Sequence, residues 1–170
     1  MDLRSEKTNK NIVDAFLQLR STKPIEKITI KELSELAYIN KTTFYRHYED
    51  IYALSDTIEN DLIEKCVASI TDTNSLVSKE GLNALLATFI SYKDSFKIIF
   101  SGSRKDIAIH KFHDALLNKI LQQHPEFNNN DEKKILITTM IYGSFNAYQV
   151  HQDIDLDTIS NCIIKLFRIL

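Results

Sequence analysis

Residues 29–54 of the chain read TIKELSELAYINKTTFYRHYEDIYAL, and this stretch decides the fold. Thr29 and Glu32 have the spacing of a capping box, in which a hydroxyl and a carboxylate each satisfy an orphan amide at a helix start. A short helix is therefore predicted to begin near Ile30, with Leu33, Leu36 and Ala37 as its narrow apolar stripe. After Tyr38 and Ile39 comes Asn40, a good N-cap for a second short helix starting at Lys41. Two capped helices this close together form a helix-turn-helix.

The second helix has an uncommon face. Lys41, Thr42, Thr43, Tyr45, Arg46 and His47 are all donors or cations that suit phosphate oxygens or base edges. Phe44 and Tyr48, four apart, share one side and can anchor the helix from behind. No acidic residue interrupts 40–48. Such a face fits a DNA major groove, and the bland alternative is a solvated polar helix surface.

The whole run resembles the N-terminal signature of TetR-family transcriptional regulators, roughly T-x-x-x-I/L-A-x-x-A-G-V-S-x-x-T-F-Y-x-H-F-x-x-K-x-x-L. Thr29, Leu33, Ala37, Thr43, Phe44, Tyr45, His47 and Leu54 match it, and Ser34, Ile39 and Tyr48 are conservative replacements. Three departures stand out: Tyr38 replaces the turn glycine, Asn40 the serine cap, and Ile51 a lysine that would reach a phosphate. The resemblance implies a bacterial DNA-binding regulator, a homodimer on a double-stranded, near-palindromic operator. It most naturally implies a repressor released by a small-molecule effector; the alternative is control by a protein partner, with activation as its output. It assigns Tyr45 and His47 to phosphates and leaves Lys41, Thr42 and Arg46 for base or backbone contacts. Thr29 would both cap its helix and donate to a phosphate.

Composition bounds the rest. The chain has 170 residues, 44% of them hydrophobic, with three glycines and two prolines. So few turn-formers and such long helical periodicity predict an all-α architecture. In it, an N-terminal three-helix DNA-binding unit (1–50) is joined by a long fourth helix to a C-terminal dimerisation and effector domain (51–170). Net charge is −2. Nine Lys/Arg face eight Asp/Glu in residues 1–50, against twelve and fifteen beyond, so DNA affinity must come from local placement and dimerisation. Cys66 and Cys162 lack a metal-type or redox-type spacing and are expected as buried thiols in a reducing compartment. No signal core or membrane-length apolar run occurs, so cytoplasmic residence without membrane contact is expected.

Further along, Ile12, Ala15, Phe16 and Leu19 define a first helix ending before Pro24. Ile51, Leu54, Ile58, Leu62 and Cys66 define the fourth. A loop is expected over 71–78, then a helix through Leu82–Ile90, a short piece at Phe96–Phe100, a break at Ser101-Gly102-Ser103 and a helix over 107–122. Two last helices, 131–152 and 156–170, are strongly apolar. Their seams, Ile137, Ile141 and Tyr148 in one and Ile159, Ile163, Leu166 and Phe167 in the other, are the expected homodimer interface, with Gly143 allowing close approach. Phe89, Tyr92, Phe96, Phe100, Phe112, Tyr142 and Phe145 are candidates for an effector pocket, set against the alternative that they are core aromatics. His110 and His113, with His124, raise a metal site only weakly, and no metal or cofactor is assigned. No phosphate-cradling loop or nucleophile elbow is present, which speaks against an enzyme.

Overall fold

The computed structural model describes residues 3–71, 78–151 and 153–167. Among them no strand occurs and nine α-helices follow one another. They are α1 (Leu3–Arg20), α2 (Ile30–Leu36), α3 (Lys41–His47), α4 (Ile51–Ala68), α5 (Lys79–Ser91), α6 (Lys93–Ile99), α7 (Lys105–Gln123), α8 (Asp131–Val150) and α9 (Leu156–Phe167). Single 3-10 turns occur at Ile25–Lys27, Gly102–Arg104 and Pro125–Phe127. None of the described helices is long and apolar enough to cross a membrane. Most of the loop expected at 71–78 and the last three residues of the final helix lie outside the described residues.

Local chemistry sets the helix starts. Ser78, Asn130 and Asp155 cap α5, α8 and α9 by accepting from the amides of Gly81, Lys133 and Thr158, and Asp50 does the same for Ala53 in α4. Each satisfies an amide that the helix itself leaves without a partner.

The chain divides into two compact units. The first combines residues 1–61 with 94–108; the second combines 62–93 with 109–170. The helix-turn-helix expected within residues 1–50 thus belongs to a larger body that includes the start of α4 and all but the first residue of α6.

In the first unit α1 packs on α2 and α2 on α3. Ile12, Phe16, Leu33, Phe44 and Leu54 are fully buried. Two arginines are buried with them. Arg20, closing α1, donates to the carbonyls of Lys23 (3.3 Å), Ile98 (3.2 Å) and Ser101 (3.2 Å). Its burial lowers its pKa. Gly102, next to one of those carbonyls, has φ +65, a conformation that favours glycine. Arg104 grips Glu59, which is fully buried in α4, through Nε to Oε1 (2.7 Å) and Nη2 to Oε2 (3.1 Å), and also pairs with Asp56. The Ser55 hydroxyl donates to the same Glu59 carboxylate at 3.0 Å. The bond to Glu59 raises the Arg104 pKa.

In the second unit α5 and α8 both pack on α9. Its core holds Cys66, Leu82, Leu116, Ile120, Ile137 and Met140. Both cysteines are free: Cys66 is buried as expected, and burial pushes its thiol up to about 12. Cys162 is exposed, contrary to the sequence expectation, because it lies on the outer side of α9, one position before the buried Ile163 and Ile164.

Candidate nucleic-acid interface

Both caps of the helix-turn-helix form. Thr29 Oγ1 accepts from the Glu32 amide at 3.2 Å, and Asn40 Oδ1 accepts from the Thr43 amide at 2.7 Å. The capping box is one-sided, however: the Glu32 carboxylate pairs with Lys23 Nζ, from the loop after α1. An ion pair has displaced the weaker return bond to the Thr29 amide.

Between the caps, α2 ends in a Schellman motif. The Ile39 amide donates to the Ser34 carbonyl (2.9 Å) and the Tyr38 amide to that of Glu35 (3.2 Å). That motif needs a left-handed residue after the C-cap, and Tyr38 supplies it with φ 55. Tyrosine here keeps the turn that glycine usually makes, at a strain of about 1 kcal/mol. The Tyr38 side chain is 93% exposed, so no packing offsets that strain.

The result is a short, rooted helix. Phe44 is fully buried at 0% exposure, and its ring meets Tyr48 at 5.9 Å. The Tyr48 hydroxyl donates to Asn9 Oδ1 of α1 at 2.5 Å, and burial raises its pKa. On the opposite side Lys41, Thr42, Tyr45 and Arg46 are exposed, Tyr45 to 57%. Thr43 and His47 are half-buried flanks of this face, and Arg46 Nη2 donates to Thr43 Oγ1 at 3.3 Å. Lys41, Thr42, Tyr45 and Arg46 thus share one outward face with Thr43 and His47 at its margins, and exposed Thr29 is at the start of α2. Ile51, at the position of the expected lysine, is buried as part of the α4 anchor.

The candidate pocket residues separate. Phe89, Phe112 and Phe145 line one cavity of the second unit, of about 80 Å³. Tyr92 caps the end of α5 under Lys65, whose Nζ is 4.7 Å from the ring. Tyr142 stacks on His113 (5.0 Å), and its hydroxyl shares a hydrogen bond with His110 Nδ1 (2.5 Å). Phe96 and Phe100 are core residues of the first unit, with ring centroids 5.2 Å apart. The histidines are engaged in hydrogen bonds: His113 with Asp114 and Thr138, His124 with Glu126. No cluster able to hold a metal ion occurs among the described residues.

The residues expected at the dimer seam are also redistributed. Ile137, Ile141, Ile159 and Ile163 are buried within the protomer itself, and Tyr148 is half-buried against the cavity. Side chains already covered have little area to give a partner. Leu166 is 40% exposed; the Phe167 side chain lies outside the described residues. What α8 does present outward is Ile135 at 66% exposure and Val150 at 72%, with Thr139, Gly143, Asn146 and Ala147 between them at helical spacing. Sequence periodicity missed this face because small and polar residues interrupt its apolar run. The cue was available in the spacing of 135, 139, 143, 146 and 150.

No family model matches the sequence, and no curated protein matches it either. Solved structures do. A tetR-family transcriptional regulator from Streptomyces coelicolor aligns with a TM-score of 0.66 at 13% identity, covering 98% of this chain and 80% of that one. A TetR-like transcriptional regulator from Rhodococcus sp. RHA1 aligns with a TM-score of 0.68 at 14% identity, covering 94% and 93%. Capped helix-turn-helix, long fourth helix and C-terminal helices together make this chain an all-α protein with the fold of TetR-family transcriptional regulators.

Proposed function

We propose that the chain is a TetR-family transcriptional repressor that acts in the cytoplasm as a homodimer. Each protomer places the Lys41–His47 face in a major groove of a near-palindromic operator, and a small molecule held in the second unit releases the complex. The observation that carries the reading is the α2–α3 pair. Two side-chain caps and a Schellman turn fix it, Phe44 roots it, and Lys41, Thr42, Tyr45 and Arg46 stay exposed. A helix held from behind with donors and cations in front is what direct groove readout requires. Support for the homodimer comes from α8: a Cβ placed on Gly143 would meet nothing within 4 Å, leaving room for a second helix between Ile135 and Val150.

The test is binding to DNA from the gene's own upstream region, followed by fluorescence anisotropy across salt concentrations. Neutralising on the order of six phosphates per dimer implies about a thousandfold loss of affinity between 50 and 200 mM salt. A flat response would contradict phosphate contact. Tyr45→Phe and His47→Ala should weaken binding to all sequences alike, whereas Lys41→Ala and Thr42→Ala should change preference among them. Equal effects of all four on cognate and scrambled DNA would remove the base-reading role.

A further inference from the structure

The cavity of the second unit is walled by α5, α7, α8 and α9, and no charged side chain is among its lining residues. Leu85, Leu116, Ile141 and Phe145 are among its buried residues. Phe89 and Tyr148, with rings edge to face at 5.0 Å, stand half-buried at its more open side. One buried polar atom in this wall has no partner. Ser144 lines the cavity, and its Oγ is buried without a hydrogen bond. Other helical hydroxyls nearby satisfy themselves on the carbonyl four residues back: Thr88 on Ala84, Ser91 on Ala87, Thr139 on Ile135. Ser144 does not do this. A buried hydroxyl left unpaired costs stability, and a bound oxygen atom removes that cost.

We propose that this cavity binds a small, uncharged, largely apolar molecule carrying one hydroxyl or carbonyl oxygen, which pairs with Ser144 Oγ. The proposal rests on the effector reading above and gives that site a ligand class. A carboxylate or ammonium group would be stripped of water with no counter-charge in the wall, which excludes ionic ligands. A pure hydrocarbon would fill the space but leave Ser144 unpaired. The volume of about 80 Å³ is well below that of sites enclosing drug-sized molecules, so the buried part of the ligand is on the scale of one ring or a short chain.

Isothermal titration of the full chain with 4-ethylphenol, ethylbenzene and 4-ethylbenzoate at pH 7 tests this. The phenol should bind about tenfold more tightly than the hydrocarbon, the increment of one net hydrogen bond, and the benzoate should show no saturable binding. Ser144→Ala, which removes an unpaired hydroxyl and keeps a good helix former, should erase the preference for the phenol while leaving ethylbenzene affinity within about twofold. Saturable benzoate binding, retention of the preference in Ser144→Ala, or no binding of any of the three overturns the proposal. Repeating the titration with the upstream DNA bound separates the two readings: phenol binding without DNA release upholds the ligand class and removes the effector role.

Discussion

Asn40 joins two duties in one side chain, and two substitutions pull them apart. Its Oδ1 holds the Thr43 amide at 2.7 Å at the start of α3, a helix of only seven residues. In so short a helix one cap is a large share of the bonding. Asn40→Ala should therefore cost about 1 kcal/mol, within the range of about 0.5–2 measured for lost caps, which lowers Tm by about 2–4 °C in a chain of this size. Asn40→Asp keeps the acceptor and adds a negative charge where the helix dipole favours one, so its stability should equal or exceed that of the parent. On DNA the order reverses. If α3 enters the groove as proposed, a carboxylate at its tip would face phosphates, and affinity should fall about tenfold at low salt, with the deficit shrinking as salt rises. Thermal denaturation and fluorescence anisotropy on the same samples read both effects. If the Asp variant loses as much stability as the Ala variant, the cap geometry is not what holds α3; if it binds DNA like the parent, the tip of α3 does not approach the duplex.

Further outcomes follow from buried groups. Arg104→Met leaves Glu59 buried without its cation and should cost about 3–5 kcal/mol in urea denaturation, whereas the double variant Arg104→Met/Glu59→Leu should recover much of that loss; additive losses would show that the pair is not coupled. The Cys66 thiol, raised to about 12 from an ordinary value near 9, stays protonated in the folded chain while the unfolded thiol ionises. Its contribution to stability is complete below pH 9 and is lost, at about 1.4 kcal/mol per pH unit, as pH rises toward 12. The pH dependence of urea denaturation should therefore be steeper in the parent than in Cys66→Ala between pH 9 and 11, and a thiol reagent at pH 8 should label Cys162 alone until the chain is unfolded.

What could be read from the residues was what depends on near neighbours. Thr29 and Asn40 cap helices through bonds spanning three residues, and Phe44 and Tyr48 share a side because they are four apart, so composition and spacing suffice. Partners distant in sequence left no such trace. Glu59 looks like a surface acid until Arg104 arrives from the 3-10 turn before α7, and Arg20 finds its carbonyls at Ile98 and Ser101. The apolar seams of α8 and α9 were legible as seams but not as to what covers them, since Ile137 and Ile163 turn into the protomer and Ile135 and Val150 turn out. Phe96 illustrates the same limit for the cavity: an aromatic at helical spacing says nothing of which body it will fill.

The discontinuity of the first unit has a bearing on how the chain can be taken apart. A fragment ending after residue 61 would keep the entire helix-turn-helix, yet it would strand Glu59 as a buried anion and deprive Arg20 of the carbonyls of Ile98 and Ser101. Recombination between relatives meets the same obstacle. A helix-turn-helix transplanted onto a foreign C-terminal half keeps these contacts only if the donor's residues 94–108 travel with it, or if the recipient carries an arginine and a turn in matching register. The support of the helix-turn-helix is therefore tied to a patch of sequence more than forty residues beyond it.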